Sequence, residues 1–294
     1  MDQAEQLRNI IKMKQIKPKT TARVITITSG NGGVGKSNVS INLGIQLKKL
    51  GLRVIILDAD FGLANIEVLF GAIPKFNLKD TIEGRKPLKE IITEGPLGVQ
   101  FISGGTGVEG LANLSKAQLG NLLRGLAELD TMADVILVDT GAGISDSVLE
   151  FVAAGSEVLL VTTPEPTSIT DSYSLLKALH NYQGFFQENT KIKMVANKVS
   201  SMVEGRNLYT KLNMVTEKFI GLSLEYLGCV PMDEQLMHSV MKQTPVSISY
   251  PNAKSARAFE KLALELTGVQ KEVKKKSLAE IFTNYIKGSK DKWE

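Results

Sequence analysis

Eight residues, Gly30-Asn31-Gly32-Gly33-Val34-Gly35-Lys36-Ser37, satisfy the spacing G-x-x-x-x-G-K-[ST] directly after the β-rich run Val24-Ile25-Thr26-Ile27-Thr28. Glycines at 30, 32, 33 and 35 let the backbone turn tightly and aim successive N–H groups inward. That makes an anion nest at the N-terminus of the next helix, where the helix dipole also favours phosphate. In such a cradle Lys36 reaches the β- and γ-phosphates of a nucleoside triphosphate, Ser37 ligates magnesium, and Asn38 continues the contact along the first helical turn. Two further runs deliver carboxylates. Asp58 and Asp60, one residue apart after Val54–Leu57, can place a metal-bound water and an attacking water beside a γ-phosphate. Val135-Ile136-Leu137-Val138-Asp139 is a hydrophobic strand ending in one aspartate, the Walker-B pattern, and Asp139 there supports the magnesium shell. The glycines of Thr140-Gly141-Ala142-Gly143 leave the following loop free to respond to the terminal phosphate.

These groups need a scaffold that brings loop ends to one rim. Apolar β-rich runs recur at Val24–Thr28, Val54–Leu57, Val99–Ile102, Val135–Val138, Val158–Thr162, Ile192–Ala196 and Leu224–Val230, mostly separated by helix-length segments. Alternation of that kind predicts an α/β fold: a mostly parallel twisted sheet with helices on both faces, of the P-loop NTPase type. Several runs are continuously apolar, as strands covered on both faces require. Ligands in such sheets bind beyond the carboxyl ends of the strands, and each polar motif above sits at such an end.

At 294 residues and 43% hydrophobic content the chain can bury a large core. The net charge of +4 is concentrated near the C-terminus, where residues 271–294 hold seven lysines against four acidic residues. One cysteine, Cys229, excludes an internal disulfide framework and a Cys-Cys metal motif, and is expected to be a small core residue. No apolar run approaches the length of a bilayer span, and the charged start does not read as a signal peptide, so a cytoplasmic protein is expected. His180 and His238 have no partners at metal-ligand spacing.

Taken together, the blocks G-x-G-G-V-G-K-S, D-x-D-x-G-L-x-N, V-D-x-G-A-G and Thr163-Pro164-Glu165-Pro166-Thr167-Ser168 resemble the deviant-Walker-A ATPases of the MinD/ParA family, over nearly all of Val24 to Gly268. The resemblance implies ATP and ADP as ligands with Mg2+, Asp60 orienting the attacking water, Asp139 supporting the magnesium and Asp58 assisting nearby. It implies that Glu165 lies in the loop reaching the partner's nucleotide in an ATP-bound homodimer, that Asn197 reads adenine, and that Pro231, Met232 and Asp233 close over the base. The family's signature lysine normally stands where this chain has Asn31, which cannot stabilise charge developing on the phosphoryl oxygens. Binding is therefore expected to survive, while dimerisation and turnover are expected to weaken. Iron–sulfur relatives are excluded, because their bridging cluster takes two cysteines per subunit.

The two ends extend the reading. Asp2-Gln3-Ala4-Glu5-Gln6-Leu7-Arg8 is similar to the D-Q-A-x-x-L-R motif of one branch of that family, the MinD-like regulators of flagellar number and placement. That similarity implies an N-terminal element, residues 1–22, which stimulates the GTPase FlhF, with Gln3 acting at the partner's nucleotide site beside Asp2, Leu7 and Arg8. It also implies the C-ring proteins FliM and FliN/FliY as partners. After an ATPase domain spanning 23–268, residues 269–294 carry Leu278, Ile281, Phe282, Tyr285 and Ile286 at i, i+3, i+4, i+7 and i+8, one face of a helix beside Lys274–Lys276 and Lys287. This pattern suits an interfacial anchor on the cytoplasmic face of the membrane and equally suits a final helix docked on the core or another protein. Three functions stay open at this point: a hydrolysing switch, a scaffold that binds nucleotide with little hydrolysis, and a ParA-like DNA-partition ATPase. The last needs a basic surface for phosphate contacts, whereas the surplus charge here lies beside the amphipathic stretch, so no specific nucleic acid is expected.

Overall fold

Six consecutive buried positions in each of three strands state the architecture most directly, since only a sheet covered on both faces hides every side chain of a strand. The computed structural model describes residues 21–60, 65–105, 116–183 and 185–268, together with Leu278. In chain order the strands and helices are β1 (Arg23–Thr28), α1 (Lys36–Lys49), β2 (Val54–Ala59), α2 (Asn65–Phe70), α3 (Leu78–Ile82), α4 (Leu88–Ile91), β3 (Thr93–Glu94), β4 (Gln100–Ile102), α5 (Lys116–Met132), β5 (Val135–Thr140), α6 (Asp146–Ala154), β6 (Glu157–Thr162), α7 (Pro166–His180), β7 (Lys191–Val199), α8 (Met202–Ile220), β8 (Glu225–Pro231), α9 (Glu234–Met241), α10 (Val246–Ser249) and α11 (Lys254–Gly268).

The strands form one eight-stranded sheet in the order β3-β4-β2-β5-β1-β6-β7-β8. All neighbours are parallel except β3, which runs antiparallel on β4 at one edge. Seven strands match the apolar runs in the sequence. β3 is the addition, and its two polar residues carry no period from which to read it.

Alternating side chains divide the core. Ile25, Ile27, Ile56, Leu137, Leu159 and Val195 face α1 and α11, packing with Val39, Leu43, Phe259 and Leu262. On the opposite face Val24, Ile55, Leu57, Ile136 and Val138 meet α3 to α5 through Leu78, Ile82, Leu88, Leu122 and Leu126. Val158, Leu160, Ile192 and Met194 meet α6 to α8 through Leu149, Leu175, Leu176, Leu208 and Leu212. Leu278 is fully buried in the cluster around Leu78 and Leu122. Of the residues expected at the two ends, Asp2, Gln3, Leu7, Arg8, Ile281, Phe282, Tyr285 and Ile286 lie outside the described residues.

At the amino-terminal rim, Arg23 and Lys193 both contact the Glu157 carboxylate, at 2.7 and 2.9 Å. Burial pushes that carboxyl up, but bonding and charge from Arg23, with Lys193 beside it, outweigh this and hold it below the usual range. Arg23 also donates to the carbonyl of Leu266, fixing the end of α11 to the sheet. The opposite rim, where the parallel strands end, is left for chemistry.

Candidate functional site

The loop between β1 and α1 has glycine where geometry demands it, for different reasons at different positions. Gly33 and Gly35 have φ of 77° and 94°, the left-handed region that glycine adopts without strain and that an anion nest requires. Gly30 is needed for space. A methyl group there would lie 2.1 Å from the carbonyl carbon of Asp171 and 2.3 Å from the Ser172 nitrogen, because α7 packs directly on the loop. Gly35 is doubly constrained, since a Cβ would meet the Asn197 amide nitrogen at 2.5 Å. α1 begins at Lys36 with no acidic residue in its first turn, leaving its positive end uncompensated for an anion. Lys36 is folded into the cradle at 9% exposure, its Nζ donating to Ser29 Oγ at 3.0 Å, and Ser29 Oγ in turn donates to the Asn31 carbonyl at 2.6 Å. Burial lowers the Lys36 pKa, and the charges of Asp139 and Asp60 act against that effect.

The three aspartates predicted from sequence converge here. Asp58 and Asp139 are register partners across β2 and β5, both buried. Asp58 accepts the Asp60 N–H on one oxygen at 3.1 Å and the Ile66 N–H on the other at 3.2 Å. It therefore braces both ends of the segment that carries Asp60, and burial together with the Asp139 charge holds its carboxyl well above the usual range. Asp60 is half-buried, with its carboxylate 3.4 Å from the Asn65 amide. Asp139 accepts the Ser40 hydroxyl at 2.7 Å on Oδ1 and has no hydrogen-bond partner on the buried Oδ2. Burial pushes Asp139 up to about 6, against the lowering influence of the Ser37 and Ser40 hydroxyls and the Lys36 charge. The loop after β5 is tied to the cradle by Gly143 N–H donating to the Ser29 carbonyl at 3.0 Å.

An orphaned buried carboxylate oxygen beside the Ser37 hydroxyl suits a magnesium ion that takes its remaining ligands from water and phosphate. Among the described residues, no group of three acidic, histidine or cysteine side chains is gathered as a metal site.

The remaining candidates occupy the same rim with different degrees of freedom. Asn197 donates its amide to the Val34 carbonyl at 2.6 Å, while its buried Oδ1 has no partner and is available to a donor on a ligand. Glu165 is exposed at the N-cap of α7 and makes no side-chain cap bond. Met232 has its N–H on the Val199 carbonyl at 2.9 Å and an exposed side chain, and Pro231 before it ends β8. The Asp233 carboxylate is consumed by caps: it accepts from Gln235 N–H at 3.0 Å and from the Ser255 N–H and hydroxyl at 2.9 and 2.8 Å. Burial would raise it, but these bonds keep it below the usual range. Asn31 is partly buried, with its Oδ1 unpartnered. Sequence reading missed Ser29, Ser40 and Lys198. Ser40 alone had a usable signal, lying one helical turn beyond Lys36 on the face toward the sheet.

A glycine nest on a helix N-terminus, with a buried lysine and a strand-end aspartate beside it, defines a P-loop nucleoside triphosphatase. The ParA family model, described as NUBPL iron-transfer P-loop NTPase, matches residues 20–267. The chain is 44% identical over 251 residues to the antiactivator FleN of Pseudomonas aeruginosa, covering 85% of this chain and 88% of that one. It is 35% identical to the flagellum site-determining protein YlxH of Helicobacter pylori, covering 89% of each. The septum site-determining protein MinD of Pyrococcus horikoshii, solved in complex with Mg-ADP, superposes with a TM-score of 0.67 at 24% identity over 83% of this chain and 96% of that one. The chain belongs to the MinD/ParA family of P-loop NTPases.

Proposed function

We propose that this chain is a MinD-type, ATP-operated switch that regulates flagellar number or placement. The observation that carries the nucleotide half of this reading is the convergence of Lys36, Asp60 and Asp139 on one glycine nest; the flagellar half rests on similarity to FleN and YlxH over most of the chain. The nest N–H groups and Lys36 bind and orient the phosphates, and Asn197 Oδ1 accepts from the adenine amino group. Ser37 and Asp139 would hold magnesium, which would supply neutralisation of the phosphate charge. Asp60 orients water for in-line attack at the γ-phosphorus, with ADP leaving. Asp58 acts through the backbone: by accepting the Asp60 and Ile66 N–H groups it fixes where Asp60 points.

Asn31 favours a second reading, a nucleotide-binding scaffold with slow turnover, because no cation stands at that position to meet charge on the transferring phosphoryl group. In the wider proposal ATP promotes a homodimer with Glu165 near the partner's nucleotide, residues 1–22 stimulate FlhF, FliM and FliN/FliY are C-ring partners, and Ile281, Phe282, Tyr285 and Ile286 give peripheral membrane attachment, whereas Leu278, buried against Leu78 and Leu122, is withdrawn from that face. Steady-state turnover and oligomeric state with ADP and with a non-hydrolysable ATP analogue test both readings. An Asn31→Lys variant that hydrolyses ATP at least tenfold faster supports the scaffold reading for the Asn31 chain. An unchanged rate shows that position 31 does not limit turnover.

A further inference from the structure

β7 ends in an irregularity whose product reaches the phosphate loop. The register between β7 and β8 runs Asn197 to Val230 and then Val199 to Pro231, so Lys198 is an extra residue bulged out of the ladder. Lys198 has φ of 56°, one of three non-glycine residues in the left-handed region among the described residues. In a regular strand Asn197 and Lys198 would point to opposite faces of the sheet. The bulge sends both to the same loop instead. Asn197 donates to the Val34 carbonyl at 2.6 Å, and Lys198 Nζ donates to the Gly33 carbonyl at 2.8 Å.

An anion nest works only if its carbonyls face away from the phosphate, and those outward carbonyls need donors of their own. We propose that Lys198 is a positioning residue of the nucleotide site: with Asn197 it grips consecutive carbonyls from behind and keeps the loop's N–H groups turned inward. The strained backbone at 198 is the cost of aiming a cation at Gly33, and strain of this kind is tolerated where the surroundings demand it. Lys198 also adds a positive charge at the Gly33 carbonyl of the loop. The inference rests on the nucleotide reading above, and its first test does not need a nucleotide.

Three variants separate the possibilities. Lys198→Met removes the donor and keeps the strain, Lys198→Gly removes both, and Lys198→Arg keeps a donor. In the nucleotide-free full chain, amide hydrogen exchange of a peptide spanning residues 33–41, whose Val39 N–H is held on the Gly35 carbonyl at 3.0 Å, is expected to speed up about 5- to 10-fold in Met and Gly and to stay within about twofold in Arg, as loss and retention of one charge-assisted hydrogen bond imply. Affinity for Mg-ATP and Mg-ADP is expected to fall by a similar factor in Met and Gly and to recover in Arg. Exchange in the Met variant equal to that of the parent would overturn the proposal, as would an Arg variant no better than Met. Parent protein that fails to bind Mg-ATP while the exchange pattern holds would overturn the nucleotide reading and leave the loop grip standing.

Discussion

Replacing Asp139 by asparagine removes the charge most exposed to the competition between burial and function. In the nucleotide-free protein the carboxyl sits at about 6 against an ordinary 3.8. At roughly 1.4 kcal/mol per pH unit, keeping it ionised at pH 7.5 costs the fold about 3 kcal/mol. The sign follows from proton uptake: between pH 3.8 and 6 the native state binds more protons than the unfolded chain, so this group's contribution falls as pH rises and the penalty is complete above 6. In Asp139→Asn the amide oxygen still accepts from Ser40, but the new NH2 replaces the orphaned Oδ2 and is itself unpartnered, a cost of about 1–2 kcal/mol. The variant is therefore expected to be more stable than the parent by about 1–2 kcal/mol at pH 7.5, a rise of roughly 2–6 °C in Tm. Near pH 4 it is expected to be less stable by about the same amount. Asp58, whose raised pKa depends partly on the Asp139 charge, relaxes in the same direction. Urea unfolding of both proteins without nucleotide, at steps from pH 4 to 7.5, reads this crossing. A variant less stable at pH 7.5, or a difference that does not vary with pH, would refute the electrostatic account of the site. Stabilised or not, the variant is expected to lose magnesium-dependent nucleotide binding.

Two further outcomes follow from packing. Gly30→Ala is expected to separate α7 from the phosphate loop, weakening Mg-ATP binding at least tenfold, because the methyl group would lie 2.1 Å from backbone that cannot swing aside; affinity by calorimetry checks it, and unchanged affinity contradicts the close-packing explanation. Leu278→Ala is expected to lower stability by about 2–4 kcal/mol, since the side chain is wholly buried among Leu78, Ile82 and Leu122; a denaturant midpoint equal to that of the parent would place Leu278 outside the core in solution.

Much of this arrangement is legible in the residues because parallel strands announce themselves. Val54–Leu57 and Val135–Val138 are unbroken apolar runs ending in aspartates, and sheet topology carries those aspartates to the rim without further information. Spacing alone was weaker for what the side chains do there. Asp58 and Asp60 read as a pair, but only the backbone path reveals that Asp58 spends both oxygens on N–H groups. Asp233 reads as a base-side contact, and its capture by Ser255, 22 residues later, is a tertiary event. Lys198 has no sequence signal, since a left-handed bulge at lysine breaks the local rule that assigns such positions to glycine or asparagine. The stripe through Leu278 illustrates a real degeneracy: the same helical face serves a bilayer or a protein core, and Leu278 lies in the core here.

Isothermal titration of Mg-ATP and Mg-ADP into the full chain and into Lys36→Ala tests the central claim most directly. One site per chain in the parent, with binding lost or weakened at least a hundredfold in the variant at unchanged Tm, is the predicted result. Equal binding by both proteins, or none by the parent in the presence of magnesium, would contradict the assignment of this loop as the nucleotide site.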